Sequence, residues 1–358
     1  MDCDKWRSRA NAVRMELQGL PGESGRECYR FGHALLEMTC AERTFSDRFK
    51  QIFSECAVDA TEDETLPRVE FQLTAFSSDP GVLAASVIPN QLDGADFMRR
   101  LVADRPYVQC PEIAPGWQTL ALSGALDEPL FAFGPSGILV SRSHPWQNAM
   151  ALYAVSCVFR LQPDVYVLHA ASVGIGSMGV LFSGPKGAGK TTLSLCLASR
   201  DHAFLGDEWA AVSSLTGELL PLRRAASIRP GPQPALLDEY LQGHYCDTET
   251  LPDGTHRVRA KVSAVFPRAV PQVVPLTDIF FLRRFDERSH VQRFTPGEGE
   301  FPPISLLLAS VWGRLGGEKT MELLRVLGNA RWWSLDVGGS PEETADLVEV
   351  TLKEGSWD

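Results

Sequence analysis

Long apolar runs are missing from this chain. A membrane-spanning helix needs roughly 18 or more consecutive apolar residues, and no such stretch occurs. Basic residues are in deficit: 34 Lys and Arg face 45 Asp and Glu, for a net charge of −11. That balance argues against duplex DNA or an anionic bilayer as the main partner, so neither nucleic acid nor membrane is expected. Closely spaced cysteines are absent too. The eight stand at 3, 28, 40, 56, 110, 157, 196 and 246, and none forms a CxxC pair. This excludes the usual zinc spacings and reads as reduced thiols rather than a disulfide framework. The N-terminal residues MDCDKWRSRANAVRMELQG carry early charges and lack the apolar segment of a signal peptide, so a cytoplasmic location is expected. No internal repeat or low-complexity tract is present.

What remains is an ordinary globular composition. With 44% apolar and 22% charged residues, disorder along the whole chain is excluded. Its 358 residues allow two domains, expected at 1–145 and 146–358. The first reads as mixed α+β. Residues 69–73 and 130–133 look like strands, and Pro135-Ser136-Gly137 like a hairpin turn into 138–140. Residues 33–56, rich in Leu, Met, Phe and Glu, read as helical, and 59–64 as an acidic solvated loop. Nothing chemical is legible there; a structural or substrate-binding role is all that is expected.

The second domain is richer. Small and apolar residues surround a helix from 147, which Pro163-Asp164 breaks. Apolar runs at 165–168, 179–183 and 203–205 follow, with a helix-forming segment at 190–199 between the last two. The order strand, loop, helix, strand predicts an α/β core with strands buried on both faces. Residues 230–260, with several prolines, read as irregular or lid-like, 275–282 as a core strand and 305–327 as helical apart from a break at 313–317.

The sharpest feature is Gly184-Pro185-Lys186-Gly187-Ala188-Gly189-Lys190-Thr191, a full match to G-x-x-x-x-G-K-[ST], with Thr192 next in the helix. Chance produces this pattern roughly once per hundred chains of this length and ordinary composition. Here an apolar strand enters the loop and a helix leaves it. Main-chain amides at a helix N-terminus suit phosphate oxygens, and glycines let the backbone close around them. Lys190 is then placed for the β- and γ-phosphates, and the Thr191 hydroxyl for Mg²⁺.

Sixteen residues beyond Thr191, the run Phe204-Leu205-Gly206 ends in Asp207-Glu208. A strand beside the loop's own strand would bring both carboxylates to the same sheet edge. One would serve the metal (Thr191, Asp207 and Glu208 are its expected holders), the other an attacking hydroxyl's proton. Taken alone, they are an ordinary solvated pair. His169, ending the run 165–168, reads by itself as a hydrogen-bonded structural residue.

Together, Leu168-His169-Ala170-Ala171, the stretch 179–193 and His202–Glu208 resemble the catalytic core of the HPr kinase/phosphorylase family. Within it they resemble the kinases encoded beside peptide natural-product genes, such as lasso-peptide kinases. The likeness is clear over about residues 166–212 and weaker to about 312. It implies a P-loop kinase fold of the HPr kinase/phosphoenolpyruvate carboxykinase type, using ATP and Mg²⁺ to phosphorylate a serine hydroxyl. It makes Asp207 the general base, sets Glu208 at the metal or its water, and brings His169 beside them. Bifunctional members carry Asp-Asp where this chain has Asp-Glu, and their HPr-holding loop is not recognisable here. Arg223, Arg224 and Arg229 resemble the family's basic segment, with Arg229 first and Arg224 second as a group facing transition-state charge. Arg257, Arg259 and Lys261 are weaker candidates for gripping an acidic substrate or closing over the nucleotide. The favoured expectation is a peptide or protein Ser/Thr kinase. A kinase of a small hydroxylated metabolite such as free serine, and a slow nucleotide-binding regulatory protein, remain alternatives. A homo-oligomer is left open.

Overall fold

Alternating apolar side chains build the first of two sheet systems. The computed structural model describes residues 3–16, 26–59, 65–75, 79, 81–88, 107–110, 113–122, 131–134, 137–142, 146–228, 241, 245–250, 256–294, 303–310, 313–314 and 317–354. They divide into two compact units, Met1–Lys50 with Ala57–Pro163, and Gln51–Cys56 with Asp164–Asp358. This corrects the boundary expected at 145/146. The helix that was to open the second domain packs on the first unit's strands, and a six-residue segment from the N-terminal part joins the second unit.

The first unit holds helices α1 (Cys3–Glu16), α2 (Arg43–Phe53, whose residues from Gln51 belong to the second unit) and α3 (Trp146–Arg160). Its strands are β1 (Arg26–Phe31), β2 (Ala34–Cys40), β3 (Ala57–Val58), β4 (Arg68–Ala75), β5 (Val82–Ile88), β6 (Tyr107–Cys110), β7 (Gln118–Leu122), β8 (Phe131–Gly134) and β9 (Gly137–Ser141). They form one sheet ordered β3-β1-β2-β4-β5-β9-β8-β7-β6. Strand period sorts its two faces. Val82, Ala84, Ala132 and Leu139 pack with Trp6, Ala10 and Val13 of α1. Phe71 and Phe133, of the opposite parity, meet Tyr153 of α3.

The expected helix over 33–56 is corrected in its first half only: Arg43–Phe53 is helical, but the segment before it is not. Ala34–Cys40 is an inner strand, paired antiparallel to β1 and parallel to β4. Leu and Met favour a helix locally, but Leu35, Leu36 and Met38 are buried and Glu37 between them is buried in ion pairs with Arg26 and Arg68, so two-sided strand pairing overrides propensity. The expected strand at 69–73 is observed, 131–133 of that at 130–133 is strand, and β8 pairs antiparallel with β9 as the hairpin into 138–140 requires; residues 130, 135 and 136 lie outside the described residues. Residues 60–64 of the expected acidic loop lie outside the described residues.

In the second unit, β10 (Val165–Leu168), β11 (Ala171–Ile175) and β12 (Met178–Ser183) lead into helix α4 (Lys190–Ser199) and β13 (Ala203–Gly206). There follow β14 (Ala210–Ser213), β15 (Glu218–Leu220), β16 (Ala226–Ile228), β17 (Tyr245–Thr250), β18 (His256–Ala260), β19 (Val274–Asp286), β20 (His290–Arg293), β21 (Ala309–Ser310) and β22 (Gly313–Arg314). Helix α5 (Gly317–Leu327), β23 (Arg331–Gly338) and α6 (Pro341–Glu354) complete it. The main sheet runs β13-β11-β12-β19-β15-β14-β10-β21-β22, with β23 beside β19 and β20 beside β23. Strands β12, β19 and β23 are mutually parallel, and the sheet's other pairings are antiparallel. The unit is therefore mixed α/β.

Two cores flank this sheet. Val180, Phe182, Phe280, Leu282 and Leu335 face α4 and α6. Leu181, Ile279 and Phe281, one residue out of step, face Leu168, Val212 and Leu219 from β10, β14 and β15, and Leu323 of α5. The irregular segment expected over 230–260 is partly corrected, because 245–250 and 256–260 are strands that pair with each other and with β16. Among the described residues of 305–327, Ser305–Leu308 and α5 are helical and Ala309–Ser310 and Gly313–Arg314 are short strands; 311–312 and 315–316 lie outside the described residues.

Phe280 is fully buried, stacked on Trp333 at 5.9 Å and near Phe182 at 5.7 Å. Phe280→Ala is expected to cost about 3–5 kcal/mol, measured by urea unfolding followed by tryptophan fluorescence.

Candidate active site

Strand β12 enters the loop through Gly184, which only glycine can occupy. A Cβ there would stand 2.6 Å from the carbonyl oxygen of Leu282 on β19. At Gly187 and Gly189 the φ angles are +85° and +93°, the left-handed region that glycine tolerates. A Cβ at Gly187 would meet nothing within 4 Å, so the outer wall of the loop is open. Helix α4 starts at Lys190, with the amide of Leu193 donating to the Gly189 carbonyl at 2.9 Å. Pro185, Lys186 and Gly187 are exposed, Gly184 and Ala188 buried, and Gly189, Thr191 and Thr192 half-buried.

Lys190 folds back over this loop. Its Nζ donates to the carbonyls of Gly184 at 2.7 Å and Pro185 at 3.1 Å. Burial lowers its pKa, while the charges of Asp207 and Glu208 act in the opposite sense.

The acidic pair reaches the loop by a route the sequence did not show. Strand β13 was expected beside β12, but β11 lies between them, antiparallel to both. Two reversals restore the direction, so β12 and β13 end at the same edge. There the Thr191 hydroxyl lies 2.9 Å from Asp207 Oδ1 and 3.1 Å from Oδ2 and donates to this carboxylate. Asp207 is 2% exposed. Burial first, and the neighbouring Glu208 charge second, push its pKa from 3.8 up to about 6, against the stabilising effect of the Thr191 hydroxyl and Arg224.

Glu208 adopts φ +61°, uncommon for a residue with a side chain. This kink sends its carboxylate towards Arg224, whose Nη1 is 3.3 Å from Oε2. The Arg224 guanidinium lies 4.4 Å from the ring centre of Trp209 and 6.0 Å from that of Phe53. His169 sits between β10 and β11, and its Nδ1–H donates to the Glu208 carbonyl at 3.2 Å. That bond leaves Nε2 as the free nitrogen of the neutral ring. Desolvation by surrounding protein, then the Lys190 charge, lowers the His169 pKa.

The structure thus brings Lys190, Thr191, Asp207, Glu208 and His169 to one edge. Arg229 lies outside the described residues. Arg224 is beside the acidic pair, whereas Arg223 turns to a buried ion pair with Glu55 at 2.6 Å. Arg257 and Arg259 lie on β18 and Lys261 just after it. Sequence reasoning missed Trp209 and Phe53, the aromatic bed of Arg224. Trp209 directly follows the acidic pair and was the available signal; Phe53 comes from far upstream and had none. Among the described residues no group of three or more His, Cys, Asp or Glu side chains is arranged to hold a metal ion. The hard oxygens of Thr191, Asp207 and Glu208 suit a Mg²⁺ that takes its other ligands from phosphate and water.

The raised Asp207 pKa has a thermodynamic sign. Between about pH 4 and 6 the folded protein keeps a proton that the unfolded chain has released. The resulting stability is full below the unfolded value of 3.8 and is lost as the pH rises through about 6. Asp207→Asn removes this titration and is expected to flatten the stability profile between pH 4 and 7, measured by urea unfolding at fixed salt. An unaltered slope would show that the load lies elsewhere.

No protein-family model matches the chain. No curated protein matches it. Among solved structures, the Hpr(Ser) kinase/phosphatase from Coxiella burnetii is similar at 14% identity with a TM-score of 0.27, over 53% of this chain and 96% of that one. At that TM-score the likeness carries no functional argument.

Proposed function

We propose that this chain is a phosphotransferase that moves the γ-phosphoryl group of ATP to a Ser or Thr hydroxyl of a peptide or protein. The observation that carries it is the 2.9 Å hydrogen bond from Thr191, in the first turn after the glycine loop, to the buried carboxylate of Asp207. It puts a phosphate cradle and a proton acceptor within one side chain of each other.

Phosphoryl transfer asks for positioning and charge stabilisation more than covalent chemistry. The amides of 187–191 cradle the phosphates, with the α4 N-terminus favouring negative charge. Lys190 supplies a cation to the β- and γ-oxygens. Asp207, with its pKa near 6, is ionised at neutral pH yet basic enough to take the acceptor hydroxyl's proton. Thr191 and Glu208 are the residues that would hold Mg²⁺, which when bound offsets charge on the phosphate oxygens, while Asp207, also expected at the metal from the sequence, is given to the acceptor's proton. Arg224 holds Glu208 in place and adds positive charge beside it, and His169 fixes the kinked Glu208 backbone. Arg229 stays a proposed contributor on the sequence resemblance.

The order loop, helix, acidic strand end, together with the strand histidine, supports a core of the HPr kinase/phosphoenolpyruvate carboxykinase type. A large first unit without a phosphate loop of its own supports a macromolecular acceptor rather than a metabolite.

Incubation with γ-labelled ATP and Mg²⁺, using a peptide pool, free serine and no acceptor in parallel, tests the reading. Label in peptide is the expected result. Label in serine would move the acceptor to metabolites, and neither label nor ADP release would end the phosphotransfer reading. Lys190→Ala is expected to abolish transfer. Asp207→Asn is expected to leave ATP affinity within a few-fold while turnover falls by about two to four orders of magnitude, as befits loss of a general base. A parallel loss of both would make Asp207 a binding residue.

A further inference from the structure

The catalytic reading leaves one large aromatic at the same sheet edge unexplained. Phe285 is 61% exposed, at the end of β19 where Arg283 and Asp286 are also exposed, beyond the buried positions 279–282. Its register partner on β23 is Val337, half-buried. Both reach the phosphate loop. A Cβ placed on Gly189 would stand 3.8 Å from ring atoms of Phe285 and 3.8 Å from Val337 Cγ1. An apolar surface of one aromatic ring and one branched side chain therefore flanks the loop immediately before Lys190.

Its side of the loop is fixed by strand order. From one side to the other the strands run β13, β11, β12, β19 and β23. The carboxylate of Asp207 marks the β13 side, where Thr191 also points. Phe285 and Val337 lie on the opposite side, and the parallel course of β12, β19 and β23 puts all three strand ends at the same edge. A nucleoside triphosphate lying across the loop with its γ end at Asp207 has its nucleoside end on the side away from Asp207, the side on which Phe285 lies.

We infer that Phe285, backed by Val337, is the seat of the nucleobase: the base stacks on the exposed ring while the loop holds the phosphates. This rests on the phosphate-loop reading and adds to it the ligand's orientation and a determinant of its affinity. Every base has a π-face, so the ring confers affinity for nucleotides over bare polyphosphate rather than choice among bases. Phe285 is mostly solvated, and its removal costs the core little.

Calorimetric titration of the full chain with MgATP and with Mg-tripolyphosphate tests the assignment, in wild type, Phe285→Ala and Phe285→Trp. Phe285→Ala is expected to weaken MgATP binding by about five- to one-hundred-fold and to leave tripolyphosphate within two-fold. Phe285→Trp is expected to keep or tighten MgATP binding. Unchanged MgATP affinity in Phe285→Ala would overturn the seat and leave the phosphate loop standing. Equal weakening of both ligands would overturn it as well, by showing that the ring merely shapes the loop. A wild-type protein that binds neither ligand would remove the phosphate-loop reading itself, and the seat with it.

Discussion

The hydrogen bond between Thr191 and Asp207 is the contact on which this site depends. It ties the first turn of α4 to the end of β13, two pieces of chain that share no strand pairing. It also gives a buried carboxylate one of its few partners. Burying an acid is unfavourable unless something donates to it. Here the donors are one hydroxyl and the main-chain amide of Ser227, with Arg224 supplying charge from nearby. That support is enough to keep the group in place and too little to restore an ordinary acidity. A buried carboxylate with a raised pKa and a fixed helix start are thus the same interaction seen from two ends.

Close backbone packing makes the contact possible. Gly184 lets β12 pass against Leu282 of β19, and a Cβ on Gly206 would stand 2.3 Å from the carbonyl oxygen of Trp209. The second glycine permits the tight turn in which Glu208 takes its left-handed conformation. The opposed cores on either side of β12 and β19 hold this edge rigid, since each strand is buried on both faces. Charge then distributes itself around a stiff frame. Lys190 leans on loop carbonyls, Arg224 lies on Trp209 and reaches Glu208, and His169 anchors the Glu208 backbone.

Much of the site was legible because its residues are local. Glycine spacing, Lys190 and Thr191 follow directly from what phosphate oxygens require, and Asp207-Glu208 closes an apolar run that could only be a strand. Other parts were hidden. Strand β11 went unread, because its five residues, Ala171-Ser172-Val173-Gly174-Ile175, mix small, polar and apolar side chains without a clear strand signal. Strand β2 was misread for the opposite reason, its Leu and Met content imitating a helix. The domain boundary was displaced because α3 is apolar all round, which says that it is buried but not against what. Strand β23 and helix α6 went unread, yet Trp333, Leu335, Ala345, Val348 and Leu352 from them belong to the core packed on α4.

From the order of its residues alone, this protein has a glycine loop between strand and helix, an acidic strand end soon after, and a mixed α/β character. These are properties of short segments, set by backbone freedom and by side-chain period. Tertiary structure decided which strands became neighbours. It placed β11 between β12 and β13, chose Arg224 over Arg223 to face the acids, and set Phe285 beside the loop from about a hundred residues downstream. Such choices depend on pairing and burial summed over distant segments, a quantity that no local stretch of sequence contains.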